Sequence, residues 1–310
     1  MKHPLSGAER RGDAILTDVG LVAMAVIWGI NFSVIKIALT EISPLAFNAL
    51  RFPMAAAALV IMLRLQGPLQ MPERSDVPRL IALGLVGNVG YQLLFIYGID
   101  ITLAGNAALM LATTPVWTLI LATLLGLERH GRLVWAGVFG ALAGMALVVL
   151  GGPQEVAIGS GIPTGDLLMV GSAMVWAVYT VGSQDLTRRY GALPVTTWTL
   201  GIGAVSLAII GAPQVARTDL AALSTTAWVS LFYAGVMSIA VAYLLWYRGV
   251  ERLGSSRTSA FSNLVPLVAL VVAWFWLGER PSAIQLAGAT VIIGGVSVTR
   301  YARVRAARSA

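Results

Sequence analysis

Trp176, Tyr179, Thr180 and Ser183 recur at i, i+3, i+4 and i+7, the spacing that gathers side chains on one face of a helix. Asn88, Tyr91, Gln92 and Phe95 repeat that spacing, and so do Ser259, Ser262, Asn263 and Pro266. Trp28 with Asn31, and Thr113 and Thr114 with Trp117, add further indoles, amides and hydroxyls. What these types offer is neutral hydrogen bonding beside aromatic rings. That chemistry suits holding a zwitterion with an apolar side chain. The expected substrate-binding set is accordingly Trp28, Asn31, Asn88, Tyr91, Gln92, Thr113, Trp117, Trp176, Tyr179, Ser259 and Asn263. The plainer reading of each polar member is glue between membrane helices, and of each indole, core volume.

Bond-making chemistry has little to work with. Catalysis usually needs positioned acids, bases or metal ligands. The chain has no cysteine, and its two histidines, His3 and His130, cannot build a metal site alone. All fourteen acids read as lying in loops or at helix ends. No catalytic residue, metal or cofactor is expected. Lys36 and Arg51 are the only basic residues placed inside apolar runs. Lys36 is shallow enough to snorkel to an interface; Arg51 is deeper and should face protein or water.

The elements that must position these residues follow from composition. Of 310 residues, 57% are hydrophobic and 11% charged, against about 25% charged in soluble domains. Spanning hydrocarbon takes roughly 20 apolar residues per helix. Such runs fall at 17–39, 44–65, 78–98, 102–125 and 132–150, then at 164–186, 194–213, 226–248, 255–277 and 282–301. They are long and unalternating, so helices are expected rather than barrel strands. The fold class is an all-α integral membrane protein of ten helices. The first run is too long for a cleaved leader and reads as the insertion signal itself. Of 21 Lys and Arg, 17 lie in the tails and in alternate loops, while the opposite loops hold only Arg217 and Arg280. That asymmetry predicts both termini in the cytoplasm, with Gly159 outside. It also explains the high pI without nucleic acid.

The two halves repeat. A shift of 151 residues pairs Gly84 with Gly235, Gly98 with Gly249, Pro115 with Pro266, Glu128 with Glu279, Gly137 with Gly288 and Gly144 with Gly295. A shift of 148 pairs Asp18 with Asp166 and Trp28 with Trp176. Five helices per half make the repeats inverted, an arrangement found in carriers that expose a site alternately to the two sides. Pro115 and Pro266 interrupt corresponding helices near mid-membrane, and are expected as hinges. The expected organisation is a tail at 1–14, one repeat at 15–151, an outer linker at 152–163, the second repeat at 164–302 and a tail at 303–310. Glu128 and Glu279 read as helix-start acids or loop clamps.

The segments Asn106 to Arg129 and Ser259 to Arg280 each resemble the fourth-helix signature of EamA domains, of the drug/metabolite transporter superfamily. Trp28-Gly29-Ile30-Asn31-Phe32 with Lys36 resembles the first-helix motif, and Arg51 the second-helix arginine. The resemblance covers nearly the whole chain twice over, and is closest to the YddG-type exporters of aromatic and other neutral amino acids. It implies a non-enzymatic secondary transporter in the inner membrane, exporting small amino acids by alternating access and functioning as a monomer. It gives Lys36 and Arg51 roles in gating or general anion attraction. With every acid placed in a loop or at a helix end, uncoupled facilitated diffusion follows. A drug or other metabolite exporter is the rival within transport; a receptor or an intramembrane enzyme is the rival outside it.

Overall fold

A computed structural model describes residues 7–67, 71–128, 130–151 and 162–309. Among these, ten helices are long and apolar enough to cross a membrane: α1 (Ile15–Leu39), α2 (Pro44–Leu65), α3 (Val77–Ile101), α4 (Ala104–Leu124), α5 (Arg132–Leu150), α6 (Thr164–Gly182), α7 (Ala192–Val215), α8 (Thr225–Leu253), α9 (Thr258–Leu277) and α10 (Ala283–Ala302). The protein is a multi-pass membrane protein. Hydrocarbon offers no partners for free N–H and C=O groups, which is why each segment satisfies its backbone internally. Most of the linker expected at 152–163, Gly159 included, lies outside the described residues. Helix already begins at Gly7, so part of the expected N-terminal tail is helical. The sixth span is shorter than expected, because the helix stops at Gly182, turns at Ser183 and resumes as a short helix at Gln184–Tyr190.

The two repeats are interleaved rather than set side by side. The first helix of each packs on the third and fourth of the other: α1 against α8 and α9, α6 against α3 and α4. The remaining helices pair with their own counterparts, α2 with α7 and α5 with α10. In the α5–α10 pair a Cβ on Gly137 would stand 2.6 Å from the Gly295 carbonyl oxygen, and one on Gly144 2.7 Å from that of Gly288. These four glycines are the ones the sequence shift relates, and they face each other across the seam. Only residues without a side chain let two backbones approach so closely.

Two departures from plain helix are shared by the halves. Both α4 and α9 break just before their prolines, at Thr113 and at Ser262–Asn263. A proline at the start of the second piece has no N–H to give the preceding turn. In α4 the carbonyl of Leu111, which Pro115 leaves free, accepts from Thr114 Oγ1 at 2.7 Å. The second departure was not legible in the sequence. Both α3 and α8 carry π-helical turns, at Leu85–Gly90 and Tyr233–Val241. The shift of 151 maps the first of these inside the second. Such turns leave carbonyls out of line and are frequent at functional sites.

Candidate functional site

The π turns sit where the aromatic residues meet. Trp176 and Tyr179 of α6 have ring centroids 4.9 Å apart, and Trp176 stands 4.9 Å from Tyr91 of α3. The Tyr179 ring reaches this place because Gly87 in the π turn offers no Cβ to block it. The Tyr179 hydroxyl bonds Thr199 Oγ1 of α7 at 3.0 Å. On the other side of the repeat, Trp28 of α1 donates its indole N–H to the Ser238 carbonyl, inside the second π turn, at 2.8 Å. Its ring lies 5.9 Å from Tyr243 and 5.8 Å from Trp246, both of α8. Phe32 of α1 joins the two groups, its ring centroid 6.1 Å from that of Phe95 of α3. Rings from α1, α3, α6 and α8 thus converge between the two halves.

Polar groups complete the setting. Arg51 of α2, 2% exposed, donates from Nη2 to Gln92 Oε1 at 2.7 Å and from Nε to Asn48 Oδ1 at 3.0 Å. Asn88 is buried against Gly203 of α7. Asn31, one turn beyond Trp28 on α1, is 9% exposed and its Oδ1 has no hydrogen-bond partner among the described residues.

Not every expected residue joins this group. Thr113 and Trp117 bond to each other at the break in α4, Trp117 Nε1 donating to Thr113 Oγ1 at 3.0 Å. Asn263, and the backbone carbonyl of Ser259, meet α10 instead. Arg300 donates to the Ser259 carbonyl and to Ser262 Oγ, and Asn263 Nδ2 donates to Ser297 Oγ at 3.2 Å. A basic side chain on the last span needs acceptors, and the break in α9 supplies them. Lys36 Nζ donates to the carbonyls of Ile99, Asp100 and Thr102, where α3 ends. A cation at a helix C-terminus meets unsatisfied carbonyls and the negative end of the dipole. Glu279 does act as a helix-start acid, but for α4 in the other repeat. Its carboxylate accepts from Ala104 N at 2.8 Å and Gly105 N at 3.1 Å.

The acids hold one surprise. Asp166, at the start of α6 as expected, is 1% exposed rather than solvated. It accepts from Thr102 Oγ1 and from Asn106 Nδ2, whose own amide oxygen accepts from Gln285 of α10. Tyr243, which sequence reasoning missed, and Trp246, which reads from its place near a span end as a belt or packing residue, had a signal: the shift of 151 maps Gln92 and Phe95 onto them.

The model of the EamA-like transporter family matches residues 15–150 and again 163–301. The chain belongs to that family. Among its EamA-type relatives, the transporter YyaM of Bacillus subtilis is 30% identical over 89% of this chain and 90% of its own. A probable terminal-alkyne amino-acid exporter of Streptantibioticus cattleyicolor is 31% identical over the same shares, 89% and 90%. A probable amino-acid metabolite efflux pump of Salmonella typhimurium is 28% identical over 90% of this chain and 92% of its own. One solved crystal structure, 20% identical, superposes at a TM-score of 0.63 over 91% of this chain and 96% of that one, which shows a shared fold. The protein is a transporter, not an enzyme.

Proposed function

We propose that this EamA-type transporter exports small amino acids, aromatic and other neutral ones among them, through a central site between its repeats. The observation that carries the reading is the convergence of Trp28, Tyr91, Trp176, Tyr179 and Tyr243 with neutral amides and hydroxyls at the junction of the two halves. Flat rings hold apolar side chains, and the amides and hydroxyls hold the polar end. Two relatives that carry amino-acid exporter or efflux names support it. The breaks at Pro115 and Pro266 give each half a place to bend, so the site opens first to one side and then to the other. The site is built within one chain, and a monomer suffices. The distribution of Lys and Arg supports an inner-membrane orientation with both termini in the cytoplasm. Exit down the solute gradient without proton coupling is part of this reading, and Asp166, buried at the start of α6, is the acid whose replacement tests it.

Counterflow in proteoliposomes tests the reading. Vesicles preloaded with phenylalanine, leucine or another neutral amino acid should take up the labelled form transiently above equilibrium. Trp176→Ala, well expressed, should raise the half-saturation concentration several-fold, as expected for about 1–2 kcal/mol of aromatic contact. Absence of counterflow across the whole amino-acid panel would defeat the proposal.

A further inference from the structure

Arg51 is a buried charge without a counter-charge. Its guanidinium carbon lies 5.0, 5.2 and 6.0 Å from the ring centroids of Phe47, Phe52 and Phe95, and its two hydrogen bonds go to neutral amides. Among the described residues no carboxylate pairs with it. A guanidinium carries five N–H donors in a planar fork, a geometry matched to carboxylate. Burying such a group without an anion is unfavourable. The fold keeps it there, in the core of the molecule.

Asn31 is the second observation, and it is independent. Its Oδ1 is a buried acceptor with no hydrogen-bond partner among the described residues. The repeat says where it lies. A shift of 148 relates Arg51 to Thr199 and Asn31 to Tyr179. The structure bears this correspondence out at the backbone: a Cβ on Gly84 would stand 3.0 Å from the Thr199 carbonyl oxygen, and one on the related Gly235 2.9 Å from that of Arg51. Tyr179 and Thr199 are hydrogen-bonded to each other. By that correspondence Asn31 and Arg51 stand on α1 and α2 at the positions that Tyr179 and Thr199 fill on α6 and α7. One half fills this place with a closed contact; the other leaves an unmatched cation and an unmatched acceptor.

We propose that the two are completed by the transported solute: its carboxylate seats on Arg51 and its ammonium donates to Asn31 Oδ1. The inference rests on the amino-acid export reading and deepens it, making Arg51 a specificity-determining residue rather than a general attractor of anions. The aromatic group would then hold the side chain. A carboxylate on a guanidinium forms short, charge-assisted bonds in a site screened from water, so its loss should be felt strongly.

The test begins with the unaltered protein. Counterflow of labelled phenylalanine is competed with unlabelled phenylalanine, with 2-phenylethylamine, which lacks the carboxylate, and with 3-phenylpropionate, which lacks the ammonium. Phenylalanine should compete at least tenfold better than 2-phenylethylamine. Arg51→Gln should abolish that preference, and Arg51→Lys, which keeps charge without the fork, should restore part of it. Asn31→Asp supplies an internal counter-ion, so it should raise thermal stability in detergent while weakening phenylalanine transport tenfold or more. Equal competition by 2-phenylethylamine in the unaltered protein would overturn the inference and leave export standing. So would an Asn31→Asp protein with unchanged stability and transport. Counterflow with no amino acid at all would take down both.

Discussion

At the residue scale, the polar side chains work mostly by tying the start of one helix to the other repeat. Glu41, in the turn between α1 and α2, accepts from Ser224 Oγ at 2.6 Å and from Ser224 N at 2.9 Å, and Ser224 is the N-cap of α8. Those two bonds, the side-chain one foremost, hold its carboxyl below its ordinary 4.5. A carboxyl depressed in the folded state contributes stability that is complete above its unfolded value and lost as pH falls through the folded one. Glu41→Gln should thus lower the melting temperature in detergent at pH 7, with the difference from the unaltered protein shrinking as pH falls below 4.5 and lost once pH passes the depressed folded value. A difference independent of pH would assign the effect to something other than this carboxylate. The sequence marked Glu279 as a clamp but not Glu41 or Asp166. Nothing in a single sequence says which loop a given acid will meet, and burial of a helix-end acid depends on partners sixty residues or more away.

Pairing between repeats decides what is possible at the scale of whole helices. The spans, the broken α4 and α9 and the glycine correspondence were legible, because length, apolarity, proline and repetition are local or periodic properties. The π turns and the bonds from the break in α9 to α10 were not. A π turn is set by what packs against it, here Tyr179 over Gly87 and Trp28 on the Ser238 carbonyl, and those contacts cross the repeat. Ser259, Ser262 and Asn263 showed the right helical spacing, but spacing defines a face without saying what it faces. The seam gives a sharp prediction. Gly144→Val would drive a Cβ to 2.6 Å from the Ile292 backbone nitrogen, whereas Gly294, on the same pair of helices, has nothing within 4 Å of its Cβ position. Overpacking of this kind costs about 1–3 kcal/mol. Gly144→Val should lower yield and melting temperature in detergent, and Gly294→Ala should change neither. Equal tolerance of both would mean that α5 and α10 do not touch as described.

For the molecule as a whole, orientation is the claim on which the direction of export depends. Reporter fusions at Ala310 and in the loop between α2 and α3 should give a cytoplasmic signal, and a fusion near Gly159 an external one. A cytoplasmic signal from Gly159 would undo the inverted arrangement. The α5–α10 seam has a further consequence, for assembly. The last helix of each half meets its own counterpart through glycines related by the sequence shift, so each half carries its own adhesive strip. The peptide connection across residues 152–161 is then a convenience of synthesis rather than a requirement of the fold. Residues 1–151 and 152–310, translated as separate polypeptides in one cell, have what they need to find each other in the bilayer and rebuild a working carrier.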